Sequence, residues 1–362
     1  MSNILLIANV DRTIYKFRRE LVTRLVEEGH SVAICCAESG LTSHLISLGC
    51  QFIPLNMSRK GTNPLADFGV LKQLVKILKK QKPDVVLTYT VKPNIYGSLA
   101  CRLRRIPCLS NITGLGVMEK KGLLARFMLL FQKVAMRKTR CVFFQNEGNL
   151  EVYTKQGIVR DNWRLLPGSG VNLEKHAVAQ YPTDGKVRFL TIARVRPDKG
   201  YDELFALIRA TKAANVEFHL CGACEDDAYM QEIEKLRESH CVVFHGEIIQ
   251  EAVKDLIADC HCLIHPSYHE GMANVILESA AMARPVIASD IPGCREGVEN
   301  GVTGYLFSCR NADDLIRKVD AFLALPYEDR RQMGQAGRAK MEREFDRNIV
   351  IEAYMEEIKN AL

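Results

Sequence analysis

The feature that most restricts this chain is its rhythm. Short β-branched runs recur between segments of helical period: Ile4 to Ala8, Ser31 to Ala37, Phe52 to Leu55, Val85 to Tyr89, Cys108 to Ile112 and Cys141 to Gln145. After Pro167-Gly168-Ser169-Gly170 the pattern restarts with Arg188 to Ala193, Val216 to Leu220, Cys241 to Phe244, Cys262 to His265 and Pro285 to Ser289. Strand–helix alternation of this kind predicts a parallel sheet with helices on both faces, and 362 residues suffice for two such sheets. The expected fold is α/β, with two doubly wound Rossmann-like domains facing across a cleft, over residues 1–172 and 173–345. A last helix over 346–362 is expected to return to the first domain. Ligands of doubly wound sheets bind beyond the carboxyl ends of the strands, so the chemistry is sought there.

Several classes drop out. The longest apolar stretch, Leu123 to Met136, is interrupted by Arg126, Gln132 and Lys133, so no spanning helix is expected. The start runs straight into Ile4-Leu5-Leu6-Ile7-Ala8 and meets Asp11 too early for a signal peptide, and reads as the first core strand of a cytoplasmic protein. Thirteen cysteines are an odd number for a disulfide framework. Cys221 and Cys224 have zinc-like spacing, but Cys260-His261-Cys262 reads better as a buried strand than as the missing ligands, so no metal is expected. The turn Ala8 to Ile14 has no glycine, against a dinucleotide cofactor, and no P-loop occurs.

Charge is split unevenly. Residues 1–172 carry 26 Lys and Arg against 11 Asp and Glu, a net of +15, and the remainder carries 23 against 32, a net of −9. An anionic partner is expected on the first half. Between Met118 and Arg140 the cations Lys120, Lys121, Arg126, Lys133, Arg137 and Lys138 alternate with Leu123, Leu124, Phe127, Leu130 and Phe131, as in a basic amphipathic helix. Such a helix contacts a membrane surface or docks its apolar stripe on the core; both need the same periodicity. Nothing in the pattern points to nucleic acid.

The segment His265 to Ala283 concentrates the chemistry. It follows a buried strand and opens a helix that is apolar almost all round, so Glu278 within it needs a partner: Arg284 or Arg295 in a structural ion pair, or a ligand hydroxyl. Glu270 precedes the helix, where a carboxylate also suits the macrodipole. Gly271 lets the backbone approach a ligand, and the N–H groups of Met272, Ala273 and Asn274 form an anion site. Two carboxylates flanking a phosphate-sized hole suit a sugar nucleotide. Arg194-Val195-Arg196-Pro197-Asp198-Lys199-Gly200 follows the strand Arg188 to Ala193 and supplies cations for a diphosphate, although basic residues before a helix are often simply solvated. No Asp-x-Asp occurs to hold the nucleotide through a divalent ion.

These residues together resemble the retaining glycosyltransferases of family four, with the GT-B fold. The match runs through Glu-x7-Glu at Glu270 and Glu278, Arg-x4-Lys-Gly at Arg194 to Gly200, and Pro167-Gly168-Ser169-Gly170-Val171-Asn172. Val243 to Ile248 and Gly301-Val302-Thr303-Gly304 add to it. In the first half, Ile14 to Arg18, Thr90-Val91-Lys92-Pro93-Asn94-Ile95-Tyr96-Gly97 and Ile112-Thr113-Gly114-Leu115-Gly116 resemble bacterial undecaprenyl-diphosphate-sugar N-acetylgalactosaminyltransferases. The resemblance implies that Arg194 and Lys199 hold the donor diphosphate, Glu270 the transferred sugar, Glu278 the ribose, Ile248 the base through its backbone, and Gly271, Met272, Ala273 and Asn274 the phosphates. Arg18, Lys92, Asn94 and Thr113 fall on the acceptor side. The chain departs from many relatives in lacking glycines at residues 9–13 and a histidine near Val91.

The implied reaction moves a hexose or N-acetylhexosamine from a UDP-sugar to a lipid-diphosphate-linked sugar, with retention and without metal. Its setting is bacterial capsule, O-antigen or glycan synthesis, with the enzyme held peripherally at the anionic inner membrane surface. A UDP-sugar epimerase of the same architecture and a non-catalytic scaffold for nucleotide-sugar or lipid are the alternatives.

Overall fold

A computed structural model describes residues 1–55, 57, 64–114, 123–183, 185–248 and 250–362. The chain divides into two units, Met1–Ser169 with Val350–Leu362, and Gly170–Ile349. Gly170 to Asn172 and Asp346 to Ile349 fall with the second unit rather than at the expected boundaries. There the Val171 N–H donates to the Phe345 carbonyl at 2.8 Å and the Arg347 N–H to the Val171 carbonyl at 3.0 Å.

The first unit alternates strand and helix: β1 (Asn3–Val10), α1 (Asp11–Glu27), β2 (Ser31–Ala37), α2 (Thr42–Ser47), β3 (Gln51–Pro54), α3 (Pro64–Gln81), β4 (Val85–Tyr89) and α4 (Ser98–Arg104). It continues through β5 (Cys108–Ile112), α5 (Leu123–Met136), β6 (Cys141–Phe144), α6 (Glu147–Lys155) and β7 (Trp163–Leu165). Among the described residues these make a seven-stranded parallel sheet in the order β3-β2-β1-β4-β5-β6-β7. The central strands are buried on both faces, which is why they read as unbroken apolar runs. In α1 the buried positions Ile14, Arg18, Leu21, Val22 and Leu25 follow the helical period and turn one stripe to the sheet.

The second unit runs β8 (Val187–Ile192), α7 (Tyr201–Ala210), β9 (Val216–Cys221), α8 (Asp227–Ser239), β10 (Val242–Gly246) and α9 (Gln250–Asp259). It then runs β11 (Cys262–His265), α10 (Asn274–Ala281), β12 (Val286–Ser289), β13 (Gly304–Phe307), α11 (Ala312–Ala324) and α12 (Tyr327–Glu344). The strand order is β10-β9-β8-β11-β12-β13, again parallel. The order reverses between β8 and β11. The loops leaving these two strands therefore emerge side by side at the carboxyl edge, the place where doubly wound sheets bind ligands. A final helix, α13 (Arg347–Ala361), joins the first unit from Val350 and packs Val350, Tyr354 and Ile358 into its core.

β7 and β13 were not anticipated. Both are short edge strands, three and four residues long, so too few positions carry the alternation. The basic helix is shorter than the Met118 to Arg140 pattern suggested: α5 stops at Met136, and Arg137 and Lys138 lie in the turn beyond it.

Candidate active site

The loop after β8 makes a single 3-10 turn at Pro197–Lys199 and ends at Gly200, whose φ is +72°. A Cβ at Gly200 would lie 2.0 Å from the Pro266 carbonyl oxygen, so only glycine allows the loops after β8 and β11 to touch here. The Tyr268 N–H ties them further by donating to the Asp198 carbonyl at 3.0 Å. The contact sets Lys199 over the segment that follows β11. Lys199 Nζ donates to Glu270 Oε1 at 2.6 Å and to Ser267 Oγ at 3.4 Å.

The same Glu270 oxygen has a second partner. His265, the last residue of β11, lies with Nε2 3.0 Å from Oε1, and its ring is buried. Burial by itself raises the Glu270 carboxyl, but the hydrogen bond and electrostatic pull of His265, followed by the Lys199 ammonium, outweigh it and hold the group at about 2. Glu270 is thus a carboxylate locked in ionised form. Gly293, after β12, completes the cradle: its φ is +89°, and a Cβ there would meet the Glu270 carbonyl oxygen at 2.6 Å.

Arg194, on the same loop as Lys199, is exposed and makes no ion pair among the described residues. Gly271 lies in the turn between Glu270 and α10, ahead of Met272, Ala273 and Asn274. The anion site expected there is narrower than three N–H groups, because Ala273 donates to the Gly293 carbonyl at 2.8 Å. That correction leaves Met272 and Asn274 of the three expected donors. Glu278 is half-buried in α10. Of the two arginines considered as structural partners, Arg295 pairs with Asp290 at 2.8 Å, and Arg284, fully buried, donates to the carbonyls of Ile257, Ala179, Met282, Ala283, Gln180 and Ala258. Ile248, half-buried after β10, has its backbone beside the Cys221 thiol.

In the first unit the acceptor-side candidates are placed differently from one another. Arg18 is buried between the rings of Tyr89 and Tyr354, 5.2 Å from each centroid. Lys92 is buried in an ion pair with Asp67 at 2.8 Å, and Asn94 Nδ2 donates to the Asn111 carbonyl at 2.7 Å. Thr113 is exposed. The first turn, without its glycines, is built on a carboxylate. Buried Asp11 accepts from the N–H groups of Arg12, Ser39 and Leu41 and from the hydroxyls of Ser39 and Thr42, stitching the β1–α1 turn to the loop after β2. Burial raises this carboxyl, and those hydrogen bonds outweigh it and lower it overall.

Of the basic helix, Lys120 and Lys121 lie outside the described residues, as does the Arg126 side chain. Gln132, Ala135 and Met136 face inward, whereas Leu130 and Val134 are 57% and 43% exposed. Lys133 reaches the Gln156 carbonyl at 3.2 Å, and Arg137 and Lys138 are exposed. No helix among the described residues is long and apolar enough to cross a membrane. All thirteen cysteines are free thiols, and among the described residues no three His, Cys, Asp or Glu side chains gather as metal ligands.

His265 and Gly293 are the site residues that the sequence reading passed over. In the sequence His265 marks only the boundary between the strand Cys262 to His265 and the segment that follows it. Gly293 had a visible signal, Pro292-Gly293 three residues after a buried strand, which marks a turn needing positive φ. What results is a half-buried, ionised carboxylate held by two donors, with an arginine on the neighbouring loop that makes no ion pair among the described residues. It offers charge-assisted bonds to hydroxyls and compensation for a phosphate.

Residues 174–340 match the family model for glycosyl transferases group 1, and residues 3–146 match the glycosyl transferase 4-like model. The chain is 26% identical to the N,N'-diacetylbacillosaminyl-diphospho-undecaprenol alpha-1,3-N-acetylgalactosaminyltransferase of Campylobacter jejuni, covering 96% of each chain. Among solved structures it is similar to a glycosyltransferase from Rickettsia africae, with a TM-score of 0.83, 19% identity and 99% and 98% of the two chains covered. It is also similar to Anabaena HepE, solved in complex with UDP and glucose, with a TM-score of 0.77 and 18% identity over the whole of both chains. The first unit thus carries a glycosyl transferase 4-like domain and the second a glycosyl transferases group 1 domain, and the chain has the GT-B fold of the glycosyltransferases it resembles.

Proposed function

We propose that this chain transfers a hexose or N-acetylhexosamine from a UDP-sugar to a hydroxyl of an undecaprenyl-diphosphate-linked sugar, with retention of configuration, in bacterial surface polysaccharide or glycan synthesis. The observation that carries this reading is Glu270 at the switch point of the second sheet, 2.6 Å from Lys199, with Arg194 exposed on the same loop as that lysine. Glu270 binds hydroxyls of the transferred sugar, and Glu278 those of the ribose. Arg194 and Lys199 neutralise the charge that grows on the diphosphate as the sugar departs, and the departing oxygen takes the acceptor proton. The UDP and glucose of HepE, and the lipid diphosphate named for the Campylobacter relative, support the choice of donor and acceptor.

The test is turnover of a UDP-sugar panel with short-chain lipid-diphosphate sugars, the product's anomeric configuration being read by NMR. Lys199→Ala and Glu270→Gln should each lower kcat/KM roughly 100-fold, the loss expected when one transition-state donor or acceptor is removed. Wild-type turnover in both variants would refute the assignment. Conversion of UDP-sugar without acceptor would favour the epimerase, and UDP binding without any turnover the scaffold.

The same reading places the first unit at an anionic membrane surface through Leu130, Val134, Arg137 and Lys138. Each cation contributes about 1 kcal/mol near such a surface. Sedimentation with anionic vesicles should weaken on replacing Arg137 and Lys138, and equal binding to neutral vesicles would remove this part of the proposal.

A further inference from the structure

His265 is not among the residues given a role above, yet it is more deeply buried than Lys199, Glu270 or Glu278. It ends β11 in register with Ala288 of β12, is 3% exposed, and directs Nε2 to Glu270 Oε1 at 3.0 Å. Its Nδ1 is buried and has no hydrogen-bond partner among the described residues, so the hydrogen bond to Glu270 is the ring's polar contact there. Lys199 reaches the same oxygen from the other side, but from a different kind of support. It is a four-carbon stem on a one-turn loop, and its ammonium carries three donors that can be redirected.

The two partners therefore have different fates when a diphosphate arrives. A phosphate oxygen competes for the Lys199 ammonium, and whatever Lys199 gives to the diphosphate is withdrawn from Glu270. His265 cannot follow, because its backbone is fixed in a central strand and its ring is enclosed. On the transferase reading above, we propose that His265 is the positioning residue of this site. Its Nε2–H holds the Glu270 carboxylate, ionised and oriented toward the sugar, while Lys199 serves the diphosphate. His265 itself touches neither donor nor acceptor.

The reasoning sets the size and the kind of effect. A hydrogen bond to a charged acceptor corresponds to roughly 10- to 100-fold, and a positioning loss falls on kcat rather than on donor affinity, which rests on Arg194, Glu278 and the backbone. The experiment compares His265→Met, which fills the space without a donor, with His265→Gln, whose amide nitrogen can reach the same oxygen. Each is placed in the wild-type and the Glu270→Gln background and assayed with a UDP-sugar and lipid-diphosphate acceptor. His265→Met should lower kcat roughly 10- to 100-fold with the donor KM within about threefold, and His265→Gln should recover most of it. In the Glu270→Gln background, His265→Met should cost less than about twofold, because residues acting through one another are not additive. Should His265→Met not fold, His265→Asn, whose amide is too short to reach, takes its place.

Wild-type kcat in the donor-less variant overturns the assignment. So does a His265→Gln that falls as far as His265→Met in folded protein, or a full loss repeated in the Glu270→Gln background. A wild-type protein that turns over no UDP-sugar overturns the transferase reading, and this assignment with it. Turnover by wild type and His265→Met alike removes the assignment alone.

Discussion

Gly200 gives the sharpest test of how the site is built. Its φ of +72° lies in the left-handed region, where an L side chain costs about 1 to 2 kcal/mol. Its position adds a second cost, since an alanine Cβ would stand 2.0 Å from the Pro266 oxygen and 2.7 Å from the Pro266 carbon. A tolerable contact requires the two loops to separate by more than about 1 Å, and overpacking of that kind adds roughly 1 to 3 kcal/mol. Gly200→Ala should therefore destabilise the second unit by about 2 to 5 kcal/mol. For a unit of this size that lowers its calorimetric transition by roughly 4 to 20 °C. The displaced loops carry Lys199 and Glu270, whose 2.6 Å contact cannot survive a shift of that size unchanged, so kcat should fall about 100-fold in the protein that remains folded. Gly301→Ala is the control: φ is +82°, but nothing lies within 4 Å of its Cβ, so only the backbone cost of about 1 to 2 kcal/mol applies. Equal transitions for the two variants, or wild-type kcat in Gly200→Ala, would refute the argument that loop contact at Pro266 assembles the site.

Asp11→Asn keeps the size of the side chain but turns one donor toward a ring of donors, so urea unfolding of the first unit should show a loss of about 2 to 4 kcal/mol. A loss below about 1 kcal/mol would mean that the Asp11 hydrogen bonds do not hold the glycine-free turn together. Acid titration tests Glu270. Its folded value of about 2 lies below its ordinary 4.5, so the stability it contributes is complete above about pH 4.5 and is lost as pH falls toward 2. The shift corresponds to about 3 kcal/mol, and Glu270→Gln should flatten the stability curve of the second unit across that window; an unchanged curve would contradict it.

Much of the site was legible because its residues carry local signals. Arg194, Lys199 and Gly200 follow a strand at fixed spacing, and Glu270 and Glu278 bracket the start of an apolar helix. Gly293 was legible in principle, since Pro-Gly after a buried strand announces a turn. The narrowing of the anion site was not: the Gly293 carbonyl that takes the Ala273 N–H comes from another loop, twenty residues on. The same holds for Arg284, which as a charged residue beside a helix read as an ion-pair partner and instead donates to six backbone carbonyls. In the first unit Arg18, Lys92 and Asn94 are acceptor-side candidates through the resemblance to the family. Their burial against Tyr354, Asp67 and Asn111 depends on elements 336, 25 and 17 residues away along the chain.

By itself the sequence determined the two parallel sheets, the loops that bear the chemistry and the charge of the first half, because period, turn residues and spacing are local properties of a chain. Only the tertiary structure decided that Lys199 and His265 meet on one oxygen of Glu270. That meeting depends on β8 and β11 lying side by side in the sheet, and strand order is settled by which hydrophobic faces pack together across seventy residues of chain.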